Sequence, residues 1–407
     1  METLKQRFLT QFSLYFTFFI DNLAWALVLP LFAPLFLDPQ NVLFSADVSV
    51  AMRTTILGFY LAAFPLAQFF GAPIIGDYAD RKGRKKALIY SVLFSLVGLV
   101  LGAISLQIKN LFLLFISRLI SGVSSGSLSI CLSAVADMNQ EEKERVKHFG
   151  HLAVIAGLSF IIGTFLGGIF SDSTVNKHFT YALPFWIASG LTLLNLVFVL
   201  FYFYETHVEQ KNTPFDFLEG VHNIQKALRT EKIKSIYVLY FLFLFSWNIL
   251  LQFTPVLVVE EFHFSNATIG YLAAFMGVSW AFGSSGMSRI MHKVFSSKKV
   301  LEISFIFFTV LSAFLYFPKH LSLLLVMIAL IVIFAGVAWP LCTNIISKTA
   351  PSNMRGKILG MSQSMQSLAM TLSPLSAVFT HIHESTPFLV AALASFAAAI
   401  LYFRAKI

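Results

Sequence analysis

A chain of 407 residues that is 57% apolar and only 12% charged, with a mean hydropathy of +0.77, cannot be a soluble globular protein. Its formal net charge of +9 would suggest nucleic acid in a soluble fold, but the charge gathers in alternate segments between long apolar runs, which excludes that partner. Only helices or closed barrels satisfy their backbone inside a bilayer, and the apolar runs here match the roughly 20 residues a helix needs to cross about 30 Å of hydrocarbon.

Breaks at charge, proline and glycine clusters predict twelve spans, near 8–37, 52–75, 87–107, 111–137, 147–171, 180–204, 235–260, 267–290, 299–317, 321–347, 355–379 and 385–404. Residues 205–234 are the long polar stretch, so the expected organisation is a six-helix bundle over 1–204, a linker over 205–234 and a second six-helix bundle over 235–407. Of the 29 lysines and arginines, all but Arg53, Lys109, Arg118, Lys177 and Lys319 fall on one side, which the positive-inside rule assigns, with both termini, to the cytoplasm. The first apolar run is too long for a signal peptide and lacks a small-residue cleavage site. Cys131 and Cys342 sit inside spans and read as small apolar packing residues with no disulfide role.

In span 1, Asp21 lies about 13 residues in, roughly 20 Å along the helix and near the midplane. A carboxylate at that depth costs about 2.5–3.5 kcal/mol on insertion scales, and intramembrane acids face pathways more often than not. Asp21 is therefore the candidate proton carrier, against the plainer alternative of a structural hydrogen bond. Asn22 and Trp25 adjoin it and are candidates for lining the substrate path.

Between spans 2 and 3 comes Gly76-Asp77-Tyr78-Ala79-Asp80-Arg81-Lys82-Gly83-Arg84-Lys85-Lys86, too charged for hydrocarbon and expected to form a short loop on one face. Gly76 and Gly83 are expected to permit close approach and a tight turn, and Arg81 and Arg84 to hold Asp77, Asp80 or lipid headgroups. Asp80 is expected to accept from the amino end of span 11 near Ser352 and Asn353, a conformational latch between the bundles. Span 4 carries Arg118, the sole basic residue inside a span, in Arg118-Leu119-Ile120-Ser121-Gly122. Its depth differs from that of Asp21 by about one to two turns, leaving both a salt bridge and a shared hydrated cavity open. Span 5 holds Gly157-Leu158-Ser159-Phe160-Ile161-Ile162-Gly163-Thr164-Phe165-Leu166-Gly167-Gly168, a small-residue pattern that packing alone would explain. In the linker, Thr213-Pro214 followed by Phe217, Val221, Ile224 and Leu228 predicts a short amphipathic helix.

The second half repeats the first weakly. Tyr15-Phe16 and Pro30 correspond to Tyr240-Phe241 and Pro255, Gly58 and Gly71 to Gly270 and Gly283, and Arg145 and Gly150 to Arg355 and Gly360. The expected result is two pseudo-symmetric bundles with a central cavity. Its second-half lining candidates are Asn248, Gln252, Asn344, Gln363 and Gln366, with Trp280 and Trp339 available to stack on a substrate.

The order G-x-x-x-D-R-x-G-R-K over 76–85 resembles the loop between helices 2 and 3 of the major facilitator superfamily of secondary transporters. Asp21 followed by Pro30 and Pro34, the R-x-x-x-G of Arg118 to Gly122 and the ending Tyr204-Glu205-Thr206 are similar to its drug and tetracycline proton antiporter branch. The resemblance implies an all-α membrane protein of twelve helices in two six-helix bundles, working by alternating access. In it the helix 4 arginine biases protonation of a nearby acid, a role that would fall to Arg118. The branch's helix 5 pattern, G-P-x-x-G-G, is departed from at Thr164, which stands where the proline would be.

Other chemistries find little support. There is no G-x-x-x-x-G-K-S/T phosphate loop, which argues against an ATP-driven pump. His151, His381 and His383 make no credible metal set, no nucleophile and base come together, and neither a cofactor nor enzymatic activity is expected. The readings left are proton-coupled export of a small amphiphilic compound, proton-coupled uptake of a metabolite such as an amino acid, sugar or siderophore, and a sensor or scaffold without turnover. A bacterial inner membrane and a monomer are expected.

Overall fold

In the computed structural model, residues 4–404 are described apart from 39–43, 45–46, 140, 207–217, 219–220, 223, 226–228, 230, 318–319 and 350–354. The described residues form helices and connections, with no strand among them.

Among the described residues, twelve long helical rods follow in chain order. They are α1 (Leu4–Val28, then a 3-10 turn Leu29–Leu31 and Phe32–Leu37), α2 (Val50–Lys82), α3 (Arg84–Gln107), α4 (Leu111–Val123 and Gly126–Met138), α5 (Glu142–Phe170) and α6 (Leu183–Tyr202). Next come α7 (Glu231–Phe262), α8 (Asn266–Ala281, a π segment Phe282–Met287 and Ser288–His292), α9 (Ser297–Phe314), α10 (Leu321–Thr349), α11 (Arg355–Leu372 with a 3-10 end Ser373–His381) and α12 (Thr386–Arg404). Nine of the described rods are long and apolar enough to cross a bilayer. The other three, α8, α9 and α11, differ for local reasons: the π segment divides α8, α9 carries Lys298, Lys299 and Glu302 in its first turns, and the Arg355–Leu372 helix of α11 carries Arg355, Lys357 and a run of serines and glutamines. The linker helix expected from Phe217, Val221, Ile224 and Leu228 falls largely outside the described residues.

The charged segment expected as a loop is almost entirely helical. α2 runs through Asp77 and Asp80 to Lys82 and α3 starts at Arg84, so the connection is Gly83 alone. Gly83 has φ +94°, a left-handed conformation that a residue with a Cβ adopts only at a cost. Ion pairs one turn apart, Asp77 to Arg81 and Asp80 to Arg84, support the helix into the turn.

Contacts divide the chain into two compact units. The first comprises Met1–Leu35, Ala63–Glu219 and Ser265–Ala274, the second Phe36–Ala62, Gly220–Phe264 and Phe275–Ile407. Leu14, Phe18, Ile75, Ala79, Leu88, Val92, Cys131, Leu152, Val199 and Phe203 form the buried core of the first. In the second, the Phe243 ring meets those of Phe305 and Phe308 at 5.7 Å, and Phe305 meets Tyr402 at 6.0 Å. Lipid tails are as apolar as these side chains, so close packing rather than water exclusion must hold the rods together. The α5 glycines serve that packing: a Cβ at Gly167 would stand 2.0 Å from the Leu27 carbonyl oxygen of α1, and one at Gly168 2.5 Å from the Asn266 carbonyl oxygen of α8.

Candidate functional site

α1 brings Asp21 against α4 within the first unit. Both carboxylate oxygens are buried with no hydrogen-bond partner, and the carboxyl faces Ser127 and, one turn on, Cys131. Asn22, next to it, turns its amide back to donate to the Phe18 carbonyl at 2.7 Å, and the Trp25 ring lies 6.0 Å from that of Phe160 on α5. Arg118 is buried on α4 between two aromatic faces, its guanidinium carbon 5.4 Å from the Phe32 ring centroid and 5.1 Å from that of Phe64. Asp21 and Arg118 therefore do not pair: one carboxyl is unpartnered, and the one intramembrane cation among these candidates is held by π faces.

At the Gly83 turn, charges interlock within the first unit. Arg81 Nε donates to Asp77 at 2.6 Å. Arg84 Nη1 donates to Asp80 at 2.6 Å and its Nε to Asp137, at the end of α4, at 3.1 Å. Glu205, just past α6, accepts the backbone N–H groups of Arg84 and Lys85 at 2.8 and 3.1 Å and so caps the amino end of α3. The polar ending after α6 was visible in the sequence, but this role was not. A Cβ at Gly76 would meet nothing within 4 Å, so the close approach expected there is not made by any described residue. Ser352 and Asn353, the expected latch partners of Asp80, lie outside the described residues.

The second unit assembles indole rings. Trp280 of α8 lies 5.6 Å from Trp339 of α10 and 4.7 Å from Trp247 of α7, and Trp339 also meets Tyr240 at 6.3 Å. Trp247 was missed in the sequence because a tryptophan in an apolar run carries no local mark of its partners. Asn248 is buried and donates to the Leu244 carbonyl, whereas Gln252 keeps a buried side-chain oxygen without a partner. Asn344 and Gln363 are exposed and Gln366 is half-buried. The same unit holds a cavity of about 440 Å³ lined by Thr54, Glu260, Glu261, Thr380, His383 and Glu384.

α5 and α8 are joined at their ends within the first unit. Asp172 accepts the Ala267 N–H at 2.9 Å and the Thr174 hydroxyl at 2.6 Å, while the Asn266 amide donates to the Ser171 carbonyl at 2.9 Å. Burial works against the Asp172 anion, but hydrogen bonds from Thr174, the Ala267 N–H and Ser265 outweigh it and hold the carboxyl below the ordinary carboxylate range. Thr164, at the proline position of the antiporter pattern, donates back to the Phe160 carbonyl at 2.9 Å, and α5 runs as one helix from Glu142 to Phe170. No group of three or more metal-ligating side chains forms among the described residues.

The sequence matches the family profile described as Major Facilitator Superfamily over residues 14–296 and again over 236–406. The chain belongs to the Major Facilitator Superfamily. It is thus a multi-pass membrane transporter of small molecules with the twelve-helix fold, and not an enzyme. Similar proteins include the class H tetracycline resistance protein of Pasteurella multocida, 27% identical over 83% of this chain and 82% of that protein, and the class B tetracycline resistance protein of Escherichia coli, 25% identical over 89% and 86%. Among solved structures, the human organic anion transporter MFSD10 superposes with a TM-score of 0.72 at 19% identity, covering 98% of this chain and all of that one. A D-xylose-proton symporter gives 0.74 at 15% identity, over 98% and 97%. At such identities the superpositions show the fold alone.

Proposed function

We propose that this transporter exports a small amphiphilic compound in exchange for protons, with Asp21 as the proton carrier. The observation that carries the reading is the buried Asp21 carboxyl, which no cation pairs and which only the Ser127 hydroxyl faces, too loosely placed to count as a full hydrogen bond. An ionised carboxylate with no cation and at most one hydroxyl donor is costly inside a bilayer, and a bound proton removes that cost. A site that binds and releases a proton is what coupling requires, and the likeness to tetracycline resistance proteins supports export as its direction. Arg118, near the same bundle interior but unpaired with Asp21, supplies fixed positive charge that favours release of the proton.

In this reading the chain divides into bundles over 1–204 and 235–407 with a linker over 205–234. It sits as a monomer in a bacterial inner membrane with both termini cytoplasmic. Asn22 and Trp25 in the first bundle and Asn248, Gln252, Trp280, Trp339, Asn344, Gln363 and Gln366 in the second contact substrate. Gly76, Asp77, Asp80, Arg81, Gly83 and Arg84 form the conformational latch.

Inverted membrane vesicles with an acidic lumen test the proposal, with tetracycline as the first probe. Export predicts accumulation that collapses when the gradient is dissipated, and accumulation by right-side-out vesicles instead would establish uptake. Asp21→Asn is expected to abolish gradient-driven accumulation while retaining probe binding. Unchanged coupling in that variant would remove Asp21 from the mechanism.

A further inference from the structure

The contact between α1 and α6 contains polar atoms that the protein itself leaves unsatisfied. Thr10, Ser13 and Thr17 are fully buried, and with Asp21 they recur at intervals of three, four and four residues, which places them on one stripe of α1. α6 presents Thr192 and Asn195, also fully buried and one turn apart. Two contacts set the register. The Thr17 hydroxyl donates to Asn195 Oδ1 at 2.8 Å, and the Tyr204 N–H donates to the Thr10 hydroxyl at 3.3 Å. Residue numbers rise on one helix as they fall on the other, so the helices are antiparallel and Thr192 falls level with residues 20–21 of α1, the depth of Asp21.

Along this stripe Ser13 Oγ, Asn195 Nδ2, Thr192 Oγ1 and both Asp21 oxygens are buried without a partner, and Thr206 Oγ1, beyond the inner end of α6, is another such atom. Alanine and valine would fill the same space and leave no orphaned group. Buried polar atoms are bonded as a rule, and where protein does not bond them ordered water does. No other side chain on the stripe brings a charge to Asp21; its neighbours across the contact with α4 are the Ser127 hydroxyl and the Cys131 thiol.

We propose that the seam between α1 and α6 binds a file of internal water molecules, held by Ser13, the Thr17–Asn195 pair and Thr192. This file carries the proton between Asp21 and the end of α1 that bears the N-terminus. The step breaks no bond other than O–H: each water or hydroxyl accepts a proton on one side and releases one on the other, so the file ends as it began and Asp21 gains or loses one proton. From Thr10 to Asp21 the route is about 16 Å. The inference rests on the reading of Asp21 as proton carrier and adds the path by which that carrier is reached.

Infrared difference spectroscopy on the full chain in lipid vesicles tests it. The band of the protonated Asp21 carboxyl, identified by its loss in Asp21→Asn, is followed after a pH jump. Thr192→Val and Asn195→Leu are each expected to slow the rise of that band by about tenfold or more, whereas Thr192→Ser, which keeps the hydroxyl, retains the wild-type rate. A wild-type rate in Thr192→Val overturns the relay even if Asn195→Leu fails to fold. If no band in the wild-type protein depends on Asp21, the proton-carrier reading itself fails, and the relay with it. Slowing in Thr192→Val together with an unchanged thermal midpoint supports the relay over a packing role.

Discussion

Glu205 caps α3 from 121 residues away, and the hydrogen bonds it accepts from Arg84 and Lys85 are the reason two long helices can meet across a single glycine. Glu205→Ala is expected to lower stability by about 1 kcal/mol, the usual loss for a removed cap, read as a reduced thermal midpoint in detergent. Gly83→Ala is expected to be at least as damaging, because φ is +94° and the new Cβ would stand 2.4 Å from a Glu205 carboxylate oxygen. An unaltered midpoint in both variants would show that the turn is held by the Arg84 ion pairs alone. The candidate residues were legible to different degrees for a physical reason. Asp21 and Arg118 stand out because charge inside an apolar run is costly wherever it occurs, whereas Trp247, Thr192 and Asn195 become informative only through partners on other helices.

At the scale of elements, the end of α5 and the start of α8 form one hydrogen-bonded corner around Asp172. Its folded carboxyl titrates below the ordinary range, so the unfolded chain binds its proton first as pH falls. The stabilisation from the Asp172 anion is then complete above the ordinary carboxylate range and is lost as pH drops through the lower folded value. Asp172→Asn is expected to reduce the thermal midpoint near neutral pH and to flatten its decline in acid; a parallel decline in wild type and variant would show that other groups set the acid limb. Spans such as α8 at 266–292 against 267–290 and α11 at 355–381 against 355–379 were readable to within two residues, because charge and bilayer thickness mark their ends. By contrast, α2 runs on to Lys82 against an expected end at 75 because its charged last turns stay helical beyond the hydrocarbon. The π segment of α8 was not readable; within it Gly283 packs against the Ile333 backbone of α10, a contact between helices that no local pattern marks.

At the scale of the whole molecule, a transporter that works by alternating access must break some helix contacts and keep others. Within the second unit, the first turns of α2 meet the 3-10 end of α11, where a Cβ at Gly58 would lie 2.8 Å from that of Ala377 and Thr55 bonds His381 at 3.2 Å. Cysteines at 58 and 377 reach the Cβ spacing of about 3.5–4.5 Å that a disulfide requires once the two segments part by about 1 Å, which also relieves the 2.5 Å approach of a Cβ at 58 to the Pro374 carbonyl oxygen. Oxidation of the Gly58→Cys, Ala377→Cys double variant is expected to cross-link the pair and stop transport, with recovery on reduction; full transport by the cross-linked protein would mean that this contact persists through the cycle. The sequence alone determined the membrane class, the twelve spans and the resemblance to the superfamily, because hydropathy and charge act locally against a bilayer that is always the same solvent. Only the tertiary structure decided that Asp21 and Arg118 stand apart, that Glu205 closes α3, and that polar atoms line the α1–α6 seam. Between helices in lipid no hydrophobic pattern selects a neighbour, so those outcomes depend on close packing and on hydrogen-bond partners far away in the chain.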